Sequence, residues 1–310
     1  MLNAYYIIRR NNKLDTTQML AELEDLIQVL SLERLEDNLF RGASHNIGIN
    51  RVYGGQVLGQ ALKAAQLTVA DRAIHSLHAY FLRLGDHAAP IIYEVDRSRD
   101  GKSFSARRVV AVQHGQPIFT MSASFQKQES GLEYQRPMPD IPAPEQCPDI
   151  GTYLGDLNQR APEKFKLTTT LYGPFAFRPV EPLDLEQPHK HEPERHMWLK
   201  TADRLPDDPD LHRTILAYIS DFSLLDTNLL PHAIHILDTQ IQVASIDHAI
   251  WFHREFRMDE WLVYVCEGIT TTSARGLSQG RFYTSDGTLV ASTMQEGLIR
   301  LRAPEGVGPR

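Results

Sequence analysis

One carboxylate stands out by its position in the sequence: Asp221, inside the helix-like stretch "HRTILAYISDFSLLD" (residues 212–226). A helix over this stretch is apolar almost all the way round, which predicts a core position. Asp221 then lies one turn from Tyr218 and Leu225, so water is kept from the carboxylate. Desolvation raises the pKa of a carboxyl group, which suits a side chain that accepts a proton in a reaction. From the residues alone, a structural hydrogen bond is the more common explanation.

Two other stretches match hydrolase motifs in part. The segment "GLSQG" (276–280) has the Gly-x-Ser-x-Gly pattern of a nucleophile elbow, with Ser278 as the nucleophile. That elbow needs a helix after it and a histidine later in the chain. A hairpin-like segment follows instead, and no histidine occurs after His253. Ser278 is therefore expected to be an ordinary strand residue.

A group of histidines, His189, His191 and His196, has the composition of a metal site but not its spacing. His196 comes one residue too late for the His-Glu-x-x-His motif, and Pro193 breaks the helix that the motif needs. We expect a solvated loop there, and we predict neither a metal nor a cofactor for the chain.

The elements that would position such side chains occur twice. "GGQVLGQALKAAQL" (54–67) and "RTILAYISDFSLL" (213–225) each predict one buried helix, and a run of strand-like segments follows each. Each run contains His-Ala in its first strand, then a copy of "SAR", then a hairpin with "HGQP" or "SDGT" as its turn. A helix followed by antiparallel strands, present twice, predicts an α+β fold that arose by duplication.

The two predicted helices differ at the position of the carboxylate. The comparable position in the first helix falls among Gly, Gln and Leu residues, so we expect one active site per chain, built mainly by the second half. Gly54 and Gly55 suit a helix start where the backbone approaches a neighbouring group closely. His75 falls at the repeat position of Ser245, and we expect it to be a hydrogen-bonded interior histidine.

Prolines separate the two halves, because eleven of the 18 fall between residues 137 and 193 and exclude regular helix and central strand. An amphipathic helix is predicted to begin at Met19 and to continue through "SLERLED". As a hypothesis, the residues before it are a dispensable extension, disordered or an overlong reading of the start. The predicted division is an extension (1–18), a first helix-and-sheet domain (19–126), a Pro-rich linker (127–171), a second helix-and-sheet domain with the candidate catalytic residues (172–302) and a tail (303–310).

Long segments of the chain resemble the type II, TesB-like acyl-CoA thioesterases. The resemblance extends from about residue 20 to 302 and includes, in order, "FRGAS", "RVYGGQVLGQAL", "HSLHAYFLRLGD", "AYISDFSLL", "IDHAIWFHR" and "STMQEG". It implies a double hotdog fold, in which two tandem domains each wrap a curved antiparallel sheet around a central helix. It also implies hydrolysis of fatty acyl-CoA to free fatty acid and CoA, without a cofactor or a metal.

The resemblance also implies a catalytic set. The family's Asp on the second hotdog helix matches Asp221, and its Gln on the last strand matches Gln295 in "STMQEG". The family's Thr at the start of a strand matches Ser245 in "VASIDHA", which keeps the hydroxyl and lacks the methyl group. Because serine is less restricted at χ1, we expect it to hold a water molecule less firmly.

These residue types suit the attack of water on a thioester carbonyl. Asp221 would be the base, and hydrogen bonds from Ser245 and Gln295 would favour its ionised form. Backbone N–H groups at a helix terminus would stabilise the oxyanion. No histidine is placed to activate Ser245, so we expect direct attack by water rather than an acyl-Ser245 intermediate.

Composition excludes several kinds of partner. The net charge of −7, without a basic run, argues against nucleic acid and against an anionic membrane surface. No apolar stretch is long enough to span a membrane. The two cysteines, Cys147 and Cys266, are typical of reduced thiols in the cytoplasm, which is the expected location.

Two other functions stay open on the sequence. A non-catalytic protein that binds or senses acyl-CoA would keep the fold without turnover. A hotdog enoyl-CoA hydratase would need an Asp–His pair, but the side chains of Asp247 and His248 point to opposite faces of a strand. The expected partners are an acyl-CoA substrate and further copies of the chain, as a dimer or tetramer, because hotdog sheets commonly pair edge to edge.

Overall fold

The computed structural model describes residues 16–45, 51–151, 173–181, 188–236 and 238–302. The helices that concern the site are α1 (Thr16–Leu30), α2 (Gly54–Gln66) and α3 (Pro209–Ser220). The strands are β1 (Leu32–Glu36), β2 (Leu39–Gly42), β3 (Ala73–Phe81), β4 (Ile91–Asp100), β5 (Phe104–Gln113), β6 (Gln116–Gln126), β7 (Phe175–Pro179), β8 (Glu194–Thr201), β9 (Ile241–Ser245), β10 (Asp247–Phe252), β11 (Leu262–Thr272), β12 (Arg275–Thr284) and β13 (Leu289–Leu301).

The strands of the described residues form one antiparallel sheet in the order β1-β2-β4-β5-β6-β3-β10-β13-β12-β11-β8-β7, and β9 pairs with β13. Read inward from its own edge, each half has the same strand order. The halves join where β3 pairs with β10, with Ala79 opposite His248 and Leu77 opposite Ile250. The predicted α+β, double hotdog architecture is confirmed.

The helices α2 and α3 pack against each other in antiparallel directions inside the main core. A Cβ atom on Gly55 at the start of α2 would lie 2.0 Å from the carbonyl oxygen of Tyr218 near the end of α3. At the other end, Gln66 Nε2 donates to the carbonyl of Asp210 at 3.3 Å. Since only glycine fits at position 55, the close approach predicted for the start of this helix is confirmed.

The second central helix, α3, is shorter than the sequence predicts. Its start is set by Asp208, whose side chain accepts a hydrogen bond from the Asp210 amide, and by Pro209 at the first position. The helix ends at Ser220 with Asp221 as its C-cap, so the predicted continuation of the helix through Leu225 is wrong. The Ser220 carbonyl accepts from the Tyr264 hydroxyl at 3.0 Å, a tertiary contact that helical periodicity cannot show.

The first helix, α1, also ends earlier than predicted. It stops at Leu30, and the Ser31 hydroxyl donates to the Ile27 carbonyl at 2.9 Å. The helix predicted to continue through "SLERLED" is therefore wrong, because Leu32–Glu36 forms the edge strand β1 against β2. A short amphipathic segment fits either period, and its place at the sheet edge decides between them.

The predicted domain boundaries stay predictions. Most of the 1–18 extension, the second part of the 127–171 linker and the whole 303–310 tail lie outside the described residues. The helix α1 already begins at Thr16, inside the predicted extension.

Residues 127–149 of the Pro-rich linker are irregular apart from one 3-10 turn at Pro144–Gln146. It packs on the face of the sheet that is turned away from the helices, where Met138 and Ile141 contact a small apolar cluster. The indole N–H of Trp198 donates to the Pro142 carbonyl at 2.9 Å. The linker therefore covers apolar side chains of the second half, as well as joining the two halves.

Both predicted hairpin turns are confirmed. His114 and Gly115 join β5 to β6 with φ of 50° and 71°, the left-handed values that a two-residue hairpin turn needs. Gly287, with φ of 86°, lies in the turn between β12 and β13.

The two halves share the same order of strands in the sheet. The individual residues that were matched in the sequence do not occupy equivalent positions. His78 is exposed on β3, whereas His248 is buried on β10. Ser105 lies within β5, whereas Ser273 and Ala274 form the turn before β12. An offset of one residue in a strand moves a side chain to the opposite face, so similar spacing in the sequence did not give equivalent positions.

Candidate active site

Asp221 lies where the two halves of the molecule meet, directly after α3 and facing the start of α2. Its Oδ1 atom accepts a hydrogen bond from Ser245 Oγ at 2.9 Å and another from Gln295 Nε2 at 2.5 Å. Two of the residues predicted to form the catalytic set therefore both contact the third, Asp221, although 24 and 74 positions separate the two donors from it in the chain.

The last strand, β13, positions both donors. Gln295 belongs to this strand and is completely buried. Two residues further along, Gly297 lies opposite Ser245 in the register between β13 and β9. The family pattern predicted a hydroxyl at the start of a strand, whereas Ser245 ends β9, and one residue separates it from the start of β10. The break between these strands thus lies directly beside the carboxylate.

The first half of the chain contributes the N-terminus of α2. The Gly55 amide lies close enough to the Asp221 carboxylate to lower its pKa. A Cβ atom on Gly54 would lie 2.6 Å from Asp221 Oδ2, so glycine at this position leaves room for the carboxylate. The pair of glycines was the signal in the sequence for this contact, although it did not identify Asp221 as the neighbouring group.

Burial raises the pKa of Asp221 to about 6. Hydrogen bonds from Gln295, Ser245 and the Gly55 amide act in the opposite direction, as does the charge of Arg51, but desolvation is the largest effect. The C-terminus of α3 disfavours the negative charge, and the N-terminus of α2 favours it. A carboxyl group with this pKa is mostly ionised at pH 7 and is more basic than an ordinary aspartate.

Aromatic rings keep water from this region. Tyr53 and Tyr218 pack edge to face with ring centroids 5.1 Å apart, and Tyr53 Oη donates to the Tyr218 carbonyl at 3.2 Å. Phe81 lies beside Gly54. Burial raises the pKa of both tyrosine hydroxyls, so they remain uncharged at the pH values at which Asp221 titrates.

The buried amide of Gln295 has one unused group. Its Oε1 atom has no hydrogen-bond partner among the residues that the structure describes. Buried polar atoms are nearly always paired, so this oxygen fits a hydrogen-bond donor such as water next to the carboxylate.

Ser278 of the "GLSQG" motif lies on β12 and is fully buried, with Oγ 2.5 Å from the side-chain amide of Asn228. It is an ordinary strand residue, as predicted. His75 is hydrogen-bonded to Ser124 Oγ at 2.8 Å on the sheet of the first half, so the predicted hydrogen bond is confirmed, but the residue is only partly buried rather than interior.

His196 and His248, two other histidines considered in the sequence, lie on strands β8 and β10. The loop expected over residues 189–196 reaches only to Pro193, because His196 belongs to β8, where it bonds the Glu181 carboxylate. The two residues of the hydratase pair do not meet, since Asp247 Oδ1 accepts from the Glu296 amide at 2.6 Å while His248 points to the other face of the strand.

The tandem hotdog fold, with a partly buried carboxylate where its two central helices meet, defines the class of the protein as a double-hotdog protein. The family model described as acyl-CoA thioesterase matches residues 175–298, and the acyl-CoA thioesterase N-terminal domain matches residues 41–126. The chain belongs to the acyl-CoA thioesterase family, in its type II branch.

Individual relatives agree with this assignment over most of the chain. Acyl-CoA thioesterase 2 of Haemophilus influenzae is 42% identical over 90% of this chain and 98% of its own length. Acyl-coenzyme A thioesterase 8 of Homo sapiens is 41% identical over 88% of both chains. The crystal structure of acyl-CoA thioesterase II TesB2 from Mycobacterium marinum is 40% identical, with a TM-score of 0.75 over 91% of this chain and 100% of that one.

In the described parts of the chain, no helix combines the length and the apolar character needed to cross a membrane.

Proposed function

We propose that this protein hydrolyses fatty acyl-CoA thioesters to free fatty acid and CoA by attack of a water molecule that Asp221 activates. The observation that carries the proposal is the convergence of Ser245 Oγ and Gln295 Nε2 on one carboxylate oxygen, Oδ1. This arrangement leaves Oδ2, which faces the start of α2, as the atom that receives a proton.

The chemistry follows from the placement of these groups. A water molecule between Asp221 and Gln295 would donate one hydrogen to Asp221 Oδ2 and the other to Gln295 Oε1. The first proton passes to Asp221 while the water oxygen bonds to the thioester carbonyl carbon. The C–S bond then breaks, and the CoA sulfur takes the proton back from Asp221, which restores the carboxylate.

The N-terminus of α2 also favours this reaction, because its positive end stabilises the negative charge that develops as the carbonyl is attacked. The Gly55 amide is directed at Asp221, so the N–H groups that would bind the carbonyl oxygen itself stay a prediction.

Direct attack by water is preferred over a covalent acyl-Ser245. The free Oε1 atom of Gln295 fits a bound water, and among the described residues no histidine hydrogen-bonds the Ser245 hydroxyl to activate it. Single-turnover hydrolysis in oxygen-18 water, followed by rapid quench and peptide mass spectrometry, tests this preference. An acyl group trapped on Ser245 would contradict it.

The first experiment compares the parent with Asp221→Asn, using thiol release from saturated acyl-CoAs of graded length. Loss of the base is expected to lower turnover by about 10²- to 10⁴-fold. Binding of acyl-CoA, measured by calorimetry, is expected to persist. Binding without turnover by either protein would favour the alternative of a non-catalytic acyl-CoA sensor. Substantial turnover by Asp221→Asn would refute the role of Asp221.

The proposal also includes the self-association of the chain and its location in the cell. A homo-oligomer, a dimer or tetramer, and a cytoplasmic location are expected from the sequence and stay predictions. Light scattering of the purified protein tests the first, and cell fractionation tests the second.

A further inference from the structure

We infer that Tyr264 and His248 are positioning residues, which hold the Ser220–Asp221 peptide from the sheet and thereby place the Asp221 carboxylate. The inference rests on the proposed role of Asp221 as the base. It concerns two side chains that the sequence did not connect with that role.

Tyr264 on β11 holds the carbonyl of the residue before Asp221. Its hydroxyl donates to the Ser220 carbonyl at 3.0 Å and lies 2.9 Å from Thr293 Oγ1. A tyrosine hydroxyl has one hydrogen, so Thr293 is the donor in the second contact. Thr293 and Gln295 are two residues apart on β13, and both are buried. One strand therefore supports Asp221 directly through Gln295 and indirectly through Thr293 and Tyr264.

The ring of Tyr264 is fixed by its neighbours. It stacks on Phe282 with centroids 3.9 Å apart and an interplanar angle of 11°. A Cβ atom on Gly280 would lie 2.4 Å from Tyr264 Cε2 and 2.5 Å from Thr293 Oγ1. The second glycine of the "GLSQG" motif thus leaves the space that this tyrosine occupies.

His248 on β10 holds the side chain of the same residue. Ser220 Oγ donates to the Ala217 carbonyl at 2.9 Å, so it accepts from His248 Nε2, also at 2.9 Å. This contact places the ring hydrogen on Nε2. Burial lowers the pKa of His248 to about 3, so the ring stays neutral and acts as a fixed donor.

These contacts matter because Asp221 follows the last residue of α3 and lacks the support of a continuing helix. A displacement of the reacting groups by about 1 Å can cost about 10²-fold in rate. If the peptide shifts, the hydrogen bonds that lower the pKa of Asp221 weaken. A positioning role therefore predicts a lower kcat and a higher pKa of Asp221, beyond any loss of stability.

The ionisable groups that face Asp221 allow this pH readout. Among the described residues they are Arg51 and Tyr53 before α2 and Tyr264 on β11. Burial keeps the tyrosines protonated, and Asp221 titrates near pH 6. Burial also raises the pKa of Asp226, which interacts with Tyr53, but the variants compared below remove no contact of that carboxyl group.

The test compares Tyr264→Phe with Tyr93→Phe. Tyr93 is a matched control, because it is equally buried in the first half and its hydroxyl donates to Gln60 Oε1 at 2.6 Å. We expect Tyr264→Phe to lower kcat about tenfold, with KM within about twofold and the acid limb of the kcat–pH profile shifted to higher pH. Tyr93→Phe is expected to lose similar stability and to keep the kcat, the KM and the kcat–pH profile of the parent.

A Tyr264→Phe variant that behaves like Tyr93→Phe would overturn the inference. If Tyr264→Phe does not fold, Thr293→Val removes the second contact and leaves the ring in place, and the same shift of the acid limb is expected. A folded Thr293→Val with the parent profile would then overturn it. An active Asp221→Asn would instead refute the role of Asp221 as the base, on which the inference rests, so the two failures are distinguishable.

Discussion

Gln295 Nε2 lies 2.5 Å from Asp221 Oδ1, and Gln295 is completely buried. The amide therefore holds the carboxylate in one orientation inside a region from which water is largely excluded. This relationship joins the last strand of the sheet to the residue that follows the second central helix. The activity is therefore expected to depend on whether Asp221 is ionised.

Activity is expected to increase with pH and to reach half of its plateau near pH 6. The base must be ionised, burial raises its pKa to about 6, and protonation below that value removes the acceptor. The measurement is kcat for a saturated acyl-CoA between pH 4.5 and 8 at constant ionic strength. A profile that is flat across pH 6 would show that a group other than Asp221 limits turnover.

Stability is expected to have the opposite dependence on pH. The pKa of Asp221 is higher in the folded state than its ordinary value of 3.8, so ionisation destabilises the fold progressively between pH 3.8 and about 6. The shift of roughly two pKa units corresponds to at most about 3 kcal/mol. Urea unfolding of the parent and of Asp221→Asn at pH 4 and pH 7 measures it. The free energy of unfolding of the variant, relative to the parent, should be higher at pH 7 than at pH 4; equal differences would contradict the shift.

Substitution of Ser245 is expected to distinguish its hydroxyl from its size. Ser245→Ala removes a hydrogen bond that lowers the pKa of Asp221, so kcat should fall about tenfold and the acid limb should move to higher pH. Ser245→Thr keeps the hydroxyl and should retain activity within about threefold. Steady-state kinetics of both variants over the same pH range test the prediction. Equal losses in both would indicate that packing, rather than the hydroxyl, matters at this position.

Substitution of Gly55 is expected to separate the two helices. The added Cβ atom of Gly55→Ala would meet the Tyr218 carbonyl at 2.0 Å, and the backbone must move to relieve the contact. We expect a loss of about 1–3 kcal/mol in the free energy of unfolding, together with loss of activity. Gly131→Ala is the matched control, because nothing lies within 4 Å of its added Cβ atom, and its effect should stay within about 0.5 kcal/mol. Similar stability of both variants in urea would refute the close contact.

The positions of the helix ends show where local patterns stopped being sufficient. The apolar periodicity predicted α3 and its burial correctly, because those features depend on residues three and four positions apart. It continued the helix past Ser220 through Leu225, and it could not show that the Ser220 carbonyl accepts a hydrogen bond from Tyr264, which lies 44 positions later. The strand β1 was missed for a related reason, since a five-residue amphipathic segment has no clear period.

For the site residues, too, the sequence predicted some features and missed others. The resemblance to a known family identified Asp221, Ser245 and Gln295, and all three meet in the structure. Residue spacing suggested equivalent histidines in the two halves, but His78 and His248 lie on opposite faces of the sheet. Neither source connected Tyr264 with Asp221, because a tyrosine in an apolar strand has no local feature that marks its partner.

The sequence by itself determined a duplicated helix-and-strand organisation, both glycine-containing hairpin turns and a carboxylate among apolar neighbours. These are properties of adjacent residues, and backbone sterics or periodicity express them directly. Only the tertiary structure decided that the N-terminus of α2 faces Asp221 and that β13 delivers Gln295 to it. Strand register and helix contact are set by packing between distant segments, and a shift of one residue would turn the same side chains to the opposite face.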